Sequence, residues 1–182
     1  MNDFAAQYLE EVSRGMRGHK RLADAAIAQL NDEEFFAQPD AESNSVAIIV
    51  KHIAGNLRSR FTDFLTTDGE KPDRRRDEEF LSTPDTSRDE LLRRWEQNWQ
   101  LLFDTVASLQ PGDLQRTVTI RVQPHTVLQA LNRAFGHMAY HAGQITFLAK
   151  HWKGADWQPL SIPKGQSEQV NAKMLEKYKP LA

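Results

Sequence analysis

Two histidines, His137 and His141, stand four residues apart in the segment GHMAYHAGQ, residues 136–144. On a helix, residues at that spacing are neighbours, with Cβ atoms about 5–6 Å apart. Two imidazoles so placed can reach one ion at about 2.0–2.1 Å from each nitrogen. The pair alone is a weak signal, because two separate core histidines, each with its own hydrogen bond, satisfy it as well and are commoner. A third histidine changes the balance. His52 lies in VAIIVKHIAGN, residues 46–56, one turn from Ile48 and Ile49 on one side and from Gly55 and Asn56 on the other. An imidazole in an apolar stripe is costly to bury without a partner. An ion shared with the other pair would be such a partner, since bundle cores build metal sites from side chains on facing helices. Three neutral imidazoles with one open position is a known catalytic zinc arrangement. Met138 follows His137, so the glutamate base of the H-E-x-x-H metalloproteases is missing.

Other polar groups are placed to serve such a site. Asn56 is four residues after His52, and Gln144 three after His141. Either can hydrogen-bond a ligand imidazole or a bound small molecule, a usual supporting task; a polar residue at the bundle mouth is the plainer meaning. Tyr140 is about a hundred degrees off the ligand face, which favours packing over acid catalysis. His19 falls near the first helix's apolar stripe and reads as a core histidine before a rival ligand. His125, beside Pro124, could edge a pocket. His151 closes the fourth helix, where a cation suits the helix dipole. Arg74, Arg75 and Arg76 precede Asp77, Glu78 and Glu79. Arginines near a pocket could hold carboxylates, but mixed charge more often marks a solvated loop. Arg58 and Arg60 carry the same two meanings.

The elements that must position these groups are helical. The apolar positions Phe4, Tyr8, Val12, Met16, Ala23, Ile27 and Leu30 keep to steps of three and four, so a helix is expected from about Asp3 to Leu30. A second opens near Ser43 or Ser45, either of which can cap it, and is stopped by TTDGEKP. Residues 68–84, with two prolines, read as a long surface loop. A third helix begins where Ser87 and Glu90 fit a capping box; its stripe includes Trp95 and Trp99, and QPGD breaks it. The period then changes. RTVTIRV, residues 116–122, alternates and is β-branched, so a short strand or hairpin arm is expected. The fourth helix runs roughly from Thr126 to Trp152, followed by a terminal loop and one short helix in SEQVNAKMLEKYK. The fold expected is all-α, a four-helix bundle with a short hairpin or strand before its last helix, in one domain over residues 1–182.

Composition agrees. Of 182 residues, 40% are hydrophobic and 26% charged, which suits a globular chain and not a disordered one. The net charge is −2, from 25 acids against 23 bases, so nothing points to nucleic acid or an acidic membrane as partner. There is no cysteine, which excludes disulfides, thiolate ligands and a cysteine nucleophile. The opening residues lack a signal peptide's apolar run, so a cytoplasmic protein is expected.

NSVAIIVKHIAGNLRSRF followed by HMAYHAGQI resembles the DinB/YfiT-like superfamily. More narrowly it resembles a DinB-like branch carrying KHIAGN…R…F and H…YH.GQI, related to bacillithiol S-transferases. The resemblance implies a four-helix bundle with a divalent ion, commonly zinc or nickel, on three histidines, here His52, His137 and His141. Characterised relatives include bacillithiol S-transferases and a mycothiol-dependent maleylpyruvate isomerase, in which the metal is thought to favour the cofactor's thiolate. A metal-dependent transferase or hydrolase acting with a small-molecule thiol is therefore expected; a non-catalytic, stress-related metal- or small-molecule-binding protein is the alternative. Homodimerisation is expected too, with Trp152 and Trp157 offering apolar surface near the C-terminus.

Overall fold

A computed structural model describes residues 2–81 and 86–178, with side chains from residue 4 onward. Four long helices form the body: α1 (Asn2–Ile27), α3 (Val46–Phe61), α4 (Arg88–Ser108) and α5 (Val127–Lys153). Two short ones, α2 (Asp32–Phe36) and α6 (Ser167–Lys177), complete the set. The chain is an all-α bundle carrying one antiparallel hairpin. Contacts run α1–α5, α5–α3, α3–α4 and α4–α1, so α1 and α3, consecutive long helices, sit on a diagonal. Among the described residues, no helix is long and apolar enough to cross a membrane.

The apolar stripes explain the assembly. Met16, Leu57, Leu102, Leu131 and Ile145 are fully buried in a single hydrophobic cluster drawn from all four long helices. Trp95 and Trp99 are buried with them, and the Trp95 indole donates 2.9 Å to Asp24 on α1. Each later long helix starts on a side-chain oxygen: Ser45 accepts from the Ile48 N–H, Ser87 from Glu90, and Thr126 from Gln129.

The hairpin pairs β1 (Thr117–Ile120) with β2 (Gln123–Thr126), in the register Thr117↔Thr126 to Ile120↔Gln123. Val118 and Ile120 point into the core, as the alternation requires.

Three expectations need correction. The first helix ends at Ile27, because Gln29 and Leu30 bond to carbonyls three residues back, at 3.2 and 3.1 Å, tightening the last turn. Arg88 then donates to the carbonyls of Ile27 and Leu30 at the helix end. The NDEE after Leu30 starts a further helix, α2, that the periodicity did not predict: Asn31 and Glu34 form a capping box, and Phe35 is fully buried.

The segment expected as a solvated loop at 68–84 is largely docked, with residues 82–84 lying outside the described set. Buried Ser59 of α3 donates to the Gly69 carbonyl at 2.8 Å and accepts from the Lys71 N–H at 3.0 Å. A 3-10 turn, Arg76–Phe80, packs on α3. Trp152 and Trp157 are half-buried against the core.

Candidate metal centre

His52 comes from the middle of α3, and His137 and His141 from successive turns of α5. The fold brings all three together. Nε2 of His137 lies 3.3 Å from Nε2 of His52 and 3.1 Å from Nε2 of His141. His52 and His141 are buried, and His137 is half-buried. Two nitrogens bound to one tetrahedral ion at about 2.0–2.1 Å each stand about 3.3–3.4 Å apart. The first observed separation matches this and the second, 3.1 Å, is slightly shorter.

The outer ring nitrogens explain why the inner ones converge. Nδ1–H of His52 donates to Glu79 at 2.8 Å, and Nδ1–H of His141 donates to Gln144 Oε1 at 2.7 Å. Both rings therefore turn Nε2 inward. Gln144 is fixed in turn, its amide donating 3.1 Å to the Tyr140 hydroxyl. Nδ1 of His137 is buried with no partner. Burial foremost, then the charges of neighbouring groups, pushes His137 down to about 3; burial and His52 push His141 down to about 4. Neither carries a second proton at neutral pH. The inward nitrogens of His52 and His141 are thus free to accept either a shared cation or an N–H of His137. The donor set and the spacing fit a divalent ion; the Nδ1 of His137 is the one outer nitrogen without the partner that such ligands usually have.

Glu79 is the residue sequence reasoning missed. It was grouped with the solvated charges, yet it is 8% exposed. Burial favours its neutral form, but the His52 hydrogen bond and the Arg74 guanidinium outweigh this and hold its pKa below the usual carboxylate range. Arg74 grips both carboxylate oxygens, at 2.8 and 2.9 Å, and its side chain is buried as well. This is the carboxylate–histidine arrangement that fixes a ligand's tautomer. Gly55 makes room for it: a Cβ at that position would lie 2.2 Å from Glu79 Oε1. Phe80, next in the turn, covers the His52 ring at 4.8 Å between centroids.

The remaining candidates separate clearly. Asn56 lines a cavity of about 210 Å³ that His52 and His137 also line. Gln144 bonds His141, as above. Tyr140 is exposed, its ring 4.6 Å from the His141 ring. His19 stays out of the cluster and packs on Phe135. His125 bonds the Gln123 carbonyl and does not edge the cavity; His151 is exposed against Trp152. Arg58 pairs with Asp73 at the surface, whereas Arg60, Arg74 and Arg76 line the cavity.

No curated protein and no solved structure matches the chain. A family model does, over residues 3–166, so the protein belongs to the family described as "Protein of unknown function (DUF1572)".

Proposed function

We propose that this protein is a divalent-metal-dependent enzyme of DinB/YfiT-like type, with His52, His137 and His141 as the ligands. The observation that carries the reading is the convergence of three Nε2 atoms whose outer nitrogens, on His52 and His141, are already committed to Glu79 and Gln144. Zinc and nickel are the ions that the donor set and the resemblance favour. A divalent ion there would lower the pKa of an adjacent thiol or water and so supply a nucleophile at neutral pH.

The chain's own residues do the rest. Glu79, clamped by Arg74, holds His52 in the tautomer with Nε2 free. Gln144 does the same for His141. Phe61, Phe64 and Ile120 make the neighbouring cavity partly apolar, which limits competing water. Asn56 stands in the same cavity with a side-chain amide available to a substrate. An open cavity beside the histidines supports turnover over a closed structural site. With no cysteine in the chain, a thiol nucleophile would have to be external. Transfer of a low-molecular-weight thiol of the bacillithiol or mycothiol type is the reaction to test first, and hydrolysis second.

The experiment is metal content by mass spectrometry, on the wild type and on a variant with His137→Ala and His141→Ala, followed by a thiol and electrophile panel. About one ion per chain, lost in the variant, together with metal-dependent turnover, would uphold the proposal. No ion after reconstitution would end it. An ion without turnover across the panel would leave a binding protein.

A further inference from the structure

The cavity beside the histidines has a second feature. Five arginines line it: Arg60 from α3, Arg74 and Arg76 from the docked segment, Arg121 from the hairpin turn and Arg133 from α5. No acidic side chain is among its lining residues. The compensating carboxylates sit behind the wall. Glu70 takes Arg60 and Arg121 at 3.0 Å each and reaches Arg74 at 3.5 Å; Glu79 takes Arg74. These pairs hold three arginines in place.

Two arginines are left for something else. Arg133 has no hydrogen bond or ion pair with any described residue. Among the described residues Arg76 has one ion pair, at 3.5 Å, to a fully exposed Asp77, besides lying over the Phe80 ring. An ion pair that open contributes little.

The placement follows from helix geometry. Arg133, His137 and His141 step along α5 by fours, as His52, Asn56 and Arg60 do along α3. His52 meets His137 and His141, while Arg60 shares the cavity with Arg133, so the two rows run in opposite directions. His141 lies at one end and Arg60 and Arg133 at the other, while Arg74 and Arg76 stand beside His52 through Glu79 and Phe80.

We propose that this cavity binds the anionic end, carboxylate or phosphate, of a small molecule whose reactive end faces the three histidines. The statement about the reactive end rests on the metal reading above; the anion site rests on the arginines. Guanidinium forks match carboxylate and phosphate oxygens in pairs, and a partly apolar cavity strengthens the attraction. The volume, about 210 Å³, equals that of about seven waters at ~30 Å³ each, and it suits a short-chain acid or a single phosphate group. Arg60, Arg74 and Arg121 supply a fixed positive wall. Arg76 and Arg133, both exposed and on different elements, are the arms that close on the anion.

The test is calorimetric titration of the full chain, metal-loaded and chelator-treated, with succinate, inorganic phosphate and uncharged succinamide. The variants are Arg76→Ala with Arg133→Ala, and Arg75→Ala as an exposed control outside this cavity. Binding of at least one anion is expected, weakened tenfold or more in the double variant and by added salt, and unchanged in the control. Succinamide should not bind. The anion that binds more tightly tells whether a carboxylate or a phosphate is the intended group. No binding of either anion, or equal binding in the double variant with its helicity intact, overturns the inference. Metal content is measured on the same samples. A chain that binds anion but no metal upholds the anion site and removes the metal reading; one that binds metal but neither anion does the reverse.

Discussion

Glu79 Oε2 stands 2.8 Å from His52 Nδ1, and Arg74 holds both oxygens of that carboxylate from the other side. A buried anion, a buried cation and the His52 imidazole thus form one chain of contacts leading to the three-histidine cluster. Glu79→Gln would keep the shape and remove the charge. Loss of such an orienting partner typically costs about 10–100-fold in metal affinity. We expect a fall within that range, measured by competition against a chromophoric chelator. Unchanged affinity would mean that the carboxylate is there for Arg74 alone.

Gly55 gives an independent check on the same relationship. The Cβ of an alanine would meet Glu79 Oε1 at 2.2 Å, so the carboxylate must leave its place. Alanine is otherwise the better helix former by about 1 kcal/mol. Gly55→Ala should therefore weaken metal binding roughly as Glu79→Gln does, while circular dichroism shows undiminished helix. A variant that unfolds would place the glycine in the fold, not in the site.

Much of the site was written in the spacing. His137 and His141 share a helix face by arithmetic, and His52 stands out because an imidazole interrupts an apolar stripe. The four long helices were equally legible, since apolar positions recurring at steps of three and four over several turns leave little choice. Glu79 was not legible. DRRRDEEF has no periodicity, and nothing in it says which of its four acids is buried. That choice is made by Gly55, Ser59 and Arg74 together, across up to about a turn of helix and a long stretch of chain. The positive wall was half legible. Arg133 lies four residues before His137 and Arg60 four after Asn56, a pattern visible once the ligand faces are chosen. Arg121 reaches the cavity only because the hairpin folds over it.

The histidines also set a pH dependence. In the metal-free chain, His137 is depressed to about 3 and His141 to about 4, chiefly by burial. Unfolded, both titrate near the ordinary value of about 6.5. Between those limits the unfolded chain binds more protons than the folded one, so stability rises with pH there. Their contribution is complete above about 6.5 and is lost progressively as pH falls towards 4 and then 3. Thermal melting of the chelated chain from pH 8 to pH 5 should show this decline. The variant with His137→Ala and His141→Ala should show a flatter one, and the same slope in both would refute the assignment. In the metal-loaded chain the same protons compete with the ion, so release should begin in the same window.

The hairpin turn carries strain that a single substitution can relieve. Arg121 and Val122, the two loop residues, have φ of 55° and 58°, and neither is glycine. A two-residue loop with both φ positive is the turn that suits strand twist, but it favours Asn-Gly sequences. A β-branched residue there costs about 1–2 kcal/mol. Asp68 holds the turn closed, its carboxylate accepting from the Arg121 and Val122 N–H groups at 2.9 and 2.8 Å and from Glu70 at 2.7 Å. Burial raises its pKa, but these backbone bonds and the Thr119 hydroxyl outweigh that and bring it to about 2. Its contribution is therefore present above about 3.8 and is lost as pH falls towards 2. Val122 is 87% exposed, so replacing it sacrifices no packing. Val122→Gly should stabilise the chain by about 1 kcal/mol, the relief of strain exceeding glycine's entropic cost. Asp68→Ala should destabilise it by about 1–2 kcal/mol and also loosen Arg121 from the cavity wall. Chemical denaturation of the two variants, with opposite signs of change, checks both; a destabilised Val122→Gly would show that the turn is held without strain.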